Sequence, residues 1–310
     1  MNEKVLYFKK DGEAPIWDFP YVRARRVFPH DAKTVTTLDV VLSLFNRGIF
    51  KQIDVEILKV IGDAQCLTIE QLKRYMSKKS YSYSQVGSRV DFMRKYGLID
   101  RWKIRLLDDE DDEVKPSAPL TLGIGGYKIL AYYYDSSRLV LPEHWNVKGV
   151  GSLQRMILLN EFRVNLAERS VMKKWEWHTP IISDSKVDKP FAVTEVNAGG
   201  KGVFRWILEM PQQAQDYLGY LKKKLHSWQY VQKESGDIVP KGFPNGVSVV
   251  IIYASTYSLA THIHEQLLLD TFPFKIWVVC EEDFKDGFHK SFYLPVGKEL
   301  KRFQLDFLTV

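Results

Sequence analysis

Apolar positions fall at helical spacing through the first third of the chain and gather into strand-like runs later. Leu38, Val41, Leu42 and Phe45 recur three and four apart and predict a helix closed by Gly48. Ahead of it, Arg23, Arg25 and Arg26 stand among Pro15, Trp17, Pro20, Tyr21 and Pro29, a mixture that predicts an extended arm. Val55, Leu58 and Ile61 predict the next helix, ended near Gly62-Asp63. Thr68 then precedes Ile69-Glu70-Gln71-Leu72, the spacing of a capping box in which hydroxyl and glutamine satisfy each other's backbone amides. That helix runs to about Met76 and closes on Lys78 and Lys79. A further helix from about Ser82 to Tyr96 carries Val86, Val90 and Met93 on one face, with Gly97 placed as the left-handed residue beyond its end. Leu98 to Ile104 alternates as a strand.

Three helices followed by a strand is the order of a winged helix-turn-helix. The wing is expected as a hairpin from Ile99 to about Leu122, with the acidic run Asp108 to Glu113 at its tip, followed by Pro116 and Pro119. Tyr127, Tyr132, Tyr133 and Tyr134 are expected to pack between domains.

The second half reads differently. Met156, Leu159, Phe162 and Leu166 mark a helix over Leu153 to Arg169, followed by candidate strands at Trp175–Ile182, Phe191–Val196 and Val203–Met210. Ala214, Leu218, Leu221, Leu225 and Trp228 mark a long helix, Val247–Tyr253 a buried strand, Leu259–Leu269 a helix and Phe274–Cys280 another buried strand. The order α-β-β-β-α-β-α-β fits a restriction-endonuclease-like core with an added helix and strand, and equally a generic three-layer α/β domain. The expected fold class is therefore α+β/α/β in two domains. The expected divisions are an arm and helix at 1–50, a winged helix-turn-helix at 51–122, a connector at 123–150 and the α/β domain at 151–310.

Charge sharpens the picture. The 310 residues carry a formal net charge of +6. Residues 1–105 hold 20 Lys and Arg against 12 Asp and Glu, an excess of +8, so the remainder sums to −2. A basic excess confined to one region favours a polyanionic partner, here double-stranded DNA. Cys66 and Cys280 lie far apart and read as buried thiols of a reducing compartment. The charged start and the lack of a long apolar run point to a cytoplasmic protein without a membrane partner.

Two candidate sites follow. The 82–96 helix offers Ser82, Tyr83, Ser84, Gln85, Ser88 and Arg89 near its start, where a recognition helix enters the major groove. Gln85 suits adenine and Arg89 guanine, while Lys78, Lys79, Arg94 and Lys95 suit phosphates. In the α/β domain the acids Asp184, Asp188, Glu195 and Glu209 stand around the second and third strands. Asp188 and Glu209 are the candidate ligands for Mg2+, with Lys224 (or Lys223) as the cation that orients water. Glu209 is followed by Met210-Pro211, so the lysine expected two residues on is missing and the domain reads as catalytically degenerate, with no cofactor unless nuclease chemistry holds. Gly199-Gly200-Lys201-Gly202 lacks P-loop spacing and reads as a hairpin turn. His262 and His264, two apart on a helix, do not share a face and make poor metal partners.

The chain resembles the replication-relaxation proteins of bacterial plasmids and integrative elements. The resemblance runs from about Thr68 to Cys280. It rests on Leu67-Thr68-Ile69-Glu70-Gln71-Leu72, Val90-Asp91-Phe92-Met93-Arg94-Lys95-Tyr96-Gly97-Leu98-Ile99, Leu158-Leu159-Asn160-Glu161-Phe162-Arg163 and Trp206-Ile207-Leu208-Glu209-Met210. It implies a winged helix joined to a nuclease-like domain, acting in plasmid replication, relaxation or transfer. The family's Pro-Asp pair before the second strand is replaced here by Asp188-Lys189-Pro190, and its second acid after Glu209 by Pro211. The resulting expectation is a DNA-binding accessory or regulatory protein of a mobile element, homodimeric like many winged-helix proteins that bind paired half-sites. Its alternatives are a metal-dependent DNA nuclease or nickase, and a protein-interaction scaffold of a replication or conjugation complex.

Overall fold

The computed structural model describes residues 6–107, 115–181, 187–213 and 216–309. The chain divides into two compact units, Pro20–Val164, and Met1–Phe19 with Asn165–Val310. The divisions thus fall at 19/20 and 164/165, rather than at 50, 122 and 150. No helix among the described residues is long and apolar enough to cross a membrane.

The unit Pro20–Val164 opens with β1 (Val22–Val27), α1 (Leu38–Asn46), α2 (Gln52–Ala64), β2 (Leu67–Thr68), α3 (Ile69–Ser77) and α4 (Tyr83–Lys95). It continues through β3 (Ile99–Leu106), β4 (Pro119–Leu122), α5 (Ile124–Tyr133), α6 (His144–Lys148) and the first three-quarters of α7 (Val150–Glu168). The strands form one antiparallel sheet in the order β1-β3-β4-β2. The expected arm is therefore in part a strand, paired along its length to β3. The acidic run Asp108 to Glu113 lies outside the described residues.

One core joins the helices to the sheet. It gathers Val41 and Leu44 of α1, Ile57, Leu58 and Ile61 of α2, Leu72 and Met76 of α3, and Val86, Val90 and Met93 of α4. Val55, expected on the inner face of α2, is only half-buried, because the inward place is taken by Asp54. The α3 capping box forms as the sequence predicts: Gln71 N donates to Thr68 Oγ1 (3.2 Å) and Thr68 N to Gln71 Oε1 (3.0 Å). The Gln71 amide then donates to Ile157 O (2.9 Å) and Glu161 (3.0 Å) on α7, while Asn160 Nδ2 donates to the carbonyls of Ala64 and Cys66 (both 2.9 Å). Two of the sequence blocks singled out above, 67–72 and 158–163, are thus one hydrogen-bonded clamp.

Gly97 has φ +69°, and Leu98 N donates back to Met93 O (3.0 Å), so α4 ends in the Schellman pattern expected of it. A Cβ on Gly126 would lie 2.2 Å from Leu98 O, so the α5 backbone rests directly on this turn. Tyr132, Tyr133 and Tyr134 do not pack away. They are 60%, 62% and 46% exposed, because the inner face of α5 is filled by Ile129 and Leu130.

The other unit is built on a seven-stranded sheet. Its strands are β5 (Met172–Trp177), β6 (Ala192–Asn197), β7 (Val203–Glu209), β8 (Val247–Ala254), β9 (Ile276–Cys280), β10 (Phe292–Val296) and β11 (Glu299–Phe303). They stand side by side in chain order. The central pairs β7–β8 and β8–β9 are parallel and the rest antiparallel. Helices α8 (Tyr217–Ser235) and α9 (Tyr257–Leu267) are the crossovers that parallel neighbours require. Leu221, Leu225 and Trp228 of α8 and Leu259, Ala260 and Ile263 of α9 pack on Ile207, Val250, Ile252 and Val278 of the sheet. Trp206, Trp277, Phe292 and Phe307 form an aromatic cluster of their own. The β10–β11 hairpin was not expected, although Gly297 (φ +60°) between two alternating runs is a turn signal.

Candidate nucleic-acid interface

Helix α4 presents its first turn to solvent. Val86, Val90 and Met93 hold the inner face, which turns Ser82, Tyr83, Ser84, Gln85 and Ser88 outward, all exposed. Ser84 and Ser88 are four residues apart and so share one face. Lys78 and Lys79, just before the turn, are exposed as well. The amide ends at a helix start carry partial positive charge, which adds to these cations.

Some members of the predicted set have other duties. Ser82 and Gln85 form a second capping box: Ser82 N donates to Gln85 Oε1 (2.9 Å) and Gln85 N to Ser82 Oγ (3.2 Å). The Ser-Tyr-Ser-Gln spacing carries that signal, and sequence reading assigned it to adenine instead. Arg89 departs furthest from expectation. Its Nε donates to Asp54 Oδ1 (2.7 Å) and its Nη2 to Asp54 Oδ2 and Ile49 O (3.2 Å), with the guanidinium 4.2 Å from the centre of the Phe92 ring. Asp54 is wholly buried, so Arg89 is the counter-ion that makes an inward aspartate tolerable, not a reader of guanine. Arg94 pairs with Asp91 (3.1 Å) and lies mostly buried; Lys95 pairs with Asp31.

Lys79 is paired with Glu56, whose carboxyl is held below its usual range chiefly by that hydrogen bond. Glu56→Gln releases the ammonium. The expected outcome is several-fold tighter binding of duplex DNA at low salt and a salt dependence steeper by about one phosphate contact, read by fluorescence anisotropy.

Of the candidate catalytic set, the structure brings Glu209 and Lys224 together, as a closed ion pair. Lys224 Nζ donates to Glu209 Oε1 at 2.7 Å, with both side chains 1% exposed, and Phe191 N donates to the same oxygen at 3.3 Å. The ammonium sits among the rings of Phe191, Tyr220 and Trp228. Asp188 instead faces Lys223 at 3.7 Å and accepts Trp228 Nε1 at its carbonyl. Mg2+ needs several oxygen ligands and usually keeps water and substrate phosphate among them. Here an ammonium already holds the glutamate in a closed, apolar setting, so Asp188, Glu209 and Lys224 do not fit that ion. Asp184 lies outside the described residues, and among those described no three His, Cys, Asp or Glu side chains converge. Glu195, a further candidate, is near Lys173 (3.7 Å).

In open α/β sheets, ligands enter at the carboxyl ends of the parallel strands. That end is occupied by the chain's own start. Gln213, beyond β7, exchanges hydrogen bonds with the Tyr7 backbone (2.9 and 3.1 Å), and Asp18 accepts from Gln213 N (3.0 Å) and from Ser255 Oγ (2.6 Å), beyond β8. Lys10 reaches Asp283 (2.6 Å), beyond β9. Gly199–Lys201 forms a short turn between the antiparallel strands β6 and β7, as a hairpin requires. His262 lies tilted against the Tyr7 ring, 5.4 Å between centroids, and His264 is buried on α9.

No protein-family model matches the chain, and searches of curated proteins and of solved structures find no match either.

Proposed function

We propose that this chain binds duplex DNA through the unit Pro20–Val164, in which α2, α3 and α4 with the β3–β4 pair act as a winged helix-turn-helix. The observation that carries the reading is the outward-facing start of α4, with Ser84 and Ser88 exposed on a helix otherwise anchored in the core and the exposed Lys78 and Lys79 just ahead of it. Charge supports it. Pro20–Val164 holds 23 Lys and Arg against 17 Asp and Glu, so all of the chain's net +6 belongs to this unit. Six of the 17 acids are the run Asp108 to Glu113.

The other unit serves in this reading as a restriction-endonuclease-like α/β body without metal chemistry, in a cytoplasmic, homodimeric accessory or regulatory protein of a plasmid or related mobile element. Selection of bound fragments from a random duplex pool tests it. One sequence is enriched, and Ser84→Ala with Ser88→Ala relaxes its preference by about 5- to 100-fold, the range of a lost base contact. Recovery of no preferred sequence, or a preference untouched by these changes, counts against it.

A protein-binding role has one observation in its favour. Tyr133 and Tyr134 border a cavity of about 300 Å³ lined also by Leu42, Phe45, Val55 and Ile129, and exposed tyrosines beside apolar surface are common at interfaces. A replication or conjugation protein docking there is compatible with DNA contact by α4.

A further inference from the structure

Antiparallel pairing of β1 with β3 sets Arg23 opposite Arg105, Arg25 opposite Lys103 and Val27 opposite Arg101. Side chains alternate across a strand, so these six positions share one face. The reverse face carries Val22, Ala24 and Arg26 against Leu106, Ile104 and Trp102. Val22, Ile104 and Trp102 are buried there, and Arg26 is tied to Asp100 at 3.0 Å. The outer face is therefore five cations and one valine, with no acid and no amide or hydroxyl side chain. Arg23, Arg25 and Arg101 are exposed.

Like charges set directly opposite weaken a sheet, and a solvated outer face needs only polar residues. The surroundings repeat the sign: Arg94 and Lys115 border the same face beside Arg101 and Lys103. Burial, and then the charge of Arg101, pull the Arg94 guanidinium below its ordinary range.

We propose that the outer face of β1 and β3 is a second DNA surface, which grips the phosphodiester backbone of a duplex while α4 reads its bases. This rests on the DNA-binding reading above. Rows on one strand face repeat every ~6.7 Å, so three rows span about 13 Å. That length covers on the order of four phosphates of one DNA strand. Guanidinium forks match phosphate oxygens, and the face offers no Asn or Gln to read adenine. Arg94 Nη2 donates to Val27 O (3.5 Å), which joins α4 to the ladder. From Ser84 to Arg94 the helix rises about 15 Å, less than half of one duplex turn. One duplex is long enough to meet both surfaces.

The test uses the full chain with Arg23→Gln, Arg25→Gln and Arg101→Gln combined, beside a Ser84→Ala/Ser88→Ala variant. Each is titrated with a fluorescent 30-base-pair duplex over a range of salt concentrations. The ladder variant is expected to weaken all sequences alike and to flatten the salt slope by about 2–3, near 0.9 per lost phosphate contact. Its thermal midpoint is expected to equal or exceed that of the parent, because opposed charges have been removed. The serine variant keeps the parent's slope and loses discrimination. A ladder variant that keeps the parent's slope, while the parent binds duplex and the serine variant loses discrimination, overturns the ladder and leaves the α4 reading standing. A parent without salt-dependent duplex binding overturns both. Tighter binding of single-stranded RNA of equal length, with the slope change confined to that ligand, makes RNA the occupant and overturns the proposal as stated.

Discussion

Lys224→Met is expected to lower the unfolding free energy of the α/β unit by about 3–5 kcal/mol, the usual consequence of leaving a buried charge without its partner. The ammonium is 2.7 Å from Glu209 Oε1, and neither side chain is more than 1% exposed. Three aromatic rings, of Phe191, Tyr220 and Trp228, close around the cation. Methionine keeps most of the volume but gives the carboxylate nothing. Combining it with Glu209→Leu removes both charges and is expected to recover most of the loss, since an apolar pair of similar volume often replaces a buried ion pair at little cost. Urea unfolding of the single and double variants measures the difference. A single variant costing under about 1 kcal/mol would mean that the pair is solvated, as exposed pairs of that strength are. The same chemistry bears on catalysis. Supercoiled plasmid with Mg2+ or Mn2+ is expected to remain intact, and metal-dependent nicking abolished by Glu209→Ala would put the nuclease alternative ahead of the reading proposed here.

Arg89→Ala is the second large effect, and it separates structure from recognition. Asp54 faces the core of the unit Pro20–Val164 with no exposed surface, accepts from Lys51 N (2.8 Å) at the start of α2, and takes two hydrogen bonds from Arg89. Removing the arginine strands that carboxylate, again at about 3–5 kcal/mol. Arg89→Lys restores the charge without the two-pronged geometry or the stacking over Phe92, so its loss is intermediate. Circular dichroism melts should show both losses, while the sequence preference of protein kept folded at low temperature is unchanged. Unchanged stability with altered preference would make Arg89 a base reader after all.

What the sequence made legible was local. Thr68 and Gln71, the periodic Val86, Val90 and Met93, and the left-handed Gly97 each act within a turn or two of helix, and each is found in the element expected of it. The parallel strands Val247–Ala254 and Ile276–Cys280 stood out because burial on both faces leaves unbroken apolar runs. Pairing at a distance was not legible. Arg89 and Asp54 are 35 residues apart, Arg25 and Lys103 nearly eighty, and nothing in the composition around either member announces the other. The same blindness hid β1 in a Pro- and aromatic-rich stretch and left Arg23 and Arg25 in an extended arm without an assigned strand partner. It also hid the return of residues 7–18 to the unit built from the chain's end. Gln85 shows a different failure. One side chain fitted two roles, and only the geometry of its bonds to Ser82 identified the cap.

Ser84→Glu places a carboxylate on the face of α4 claimed for DNA, at an exposed position near a helix start where an acid is well tolerated. Fluorescence anisotropy with a duplex at low salt is expected to show at least a tenfold loss of affinity against Ser84→Ala, with the melting temperature unchanged. Equal affinity of the two variants would contradict the assignment of this face to DNA.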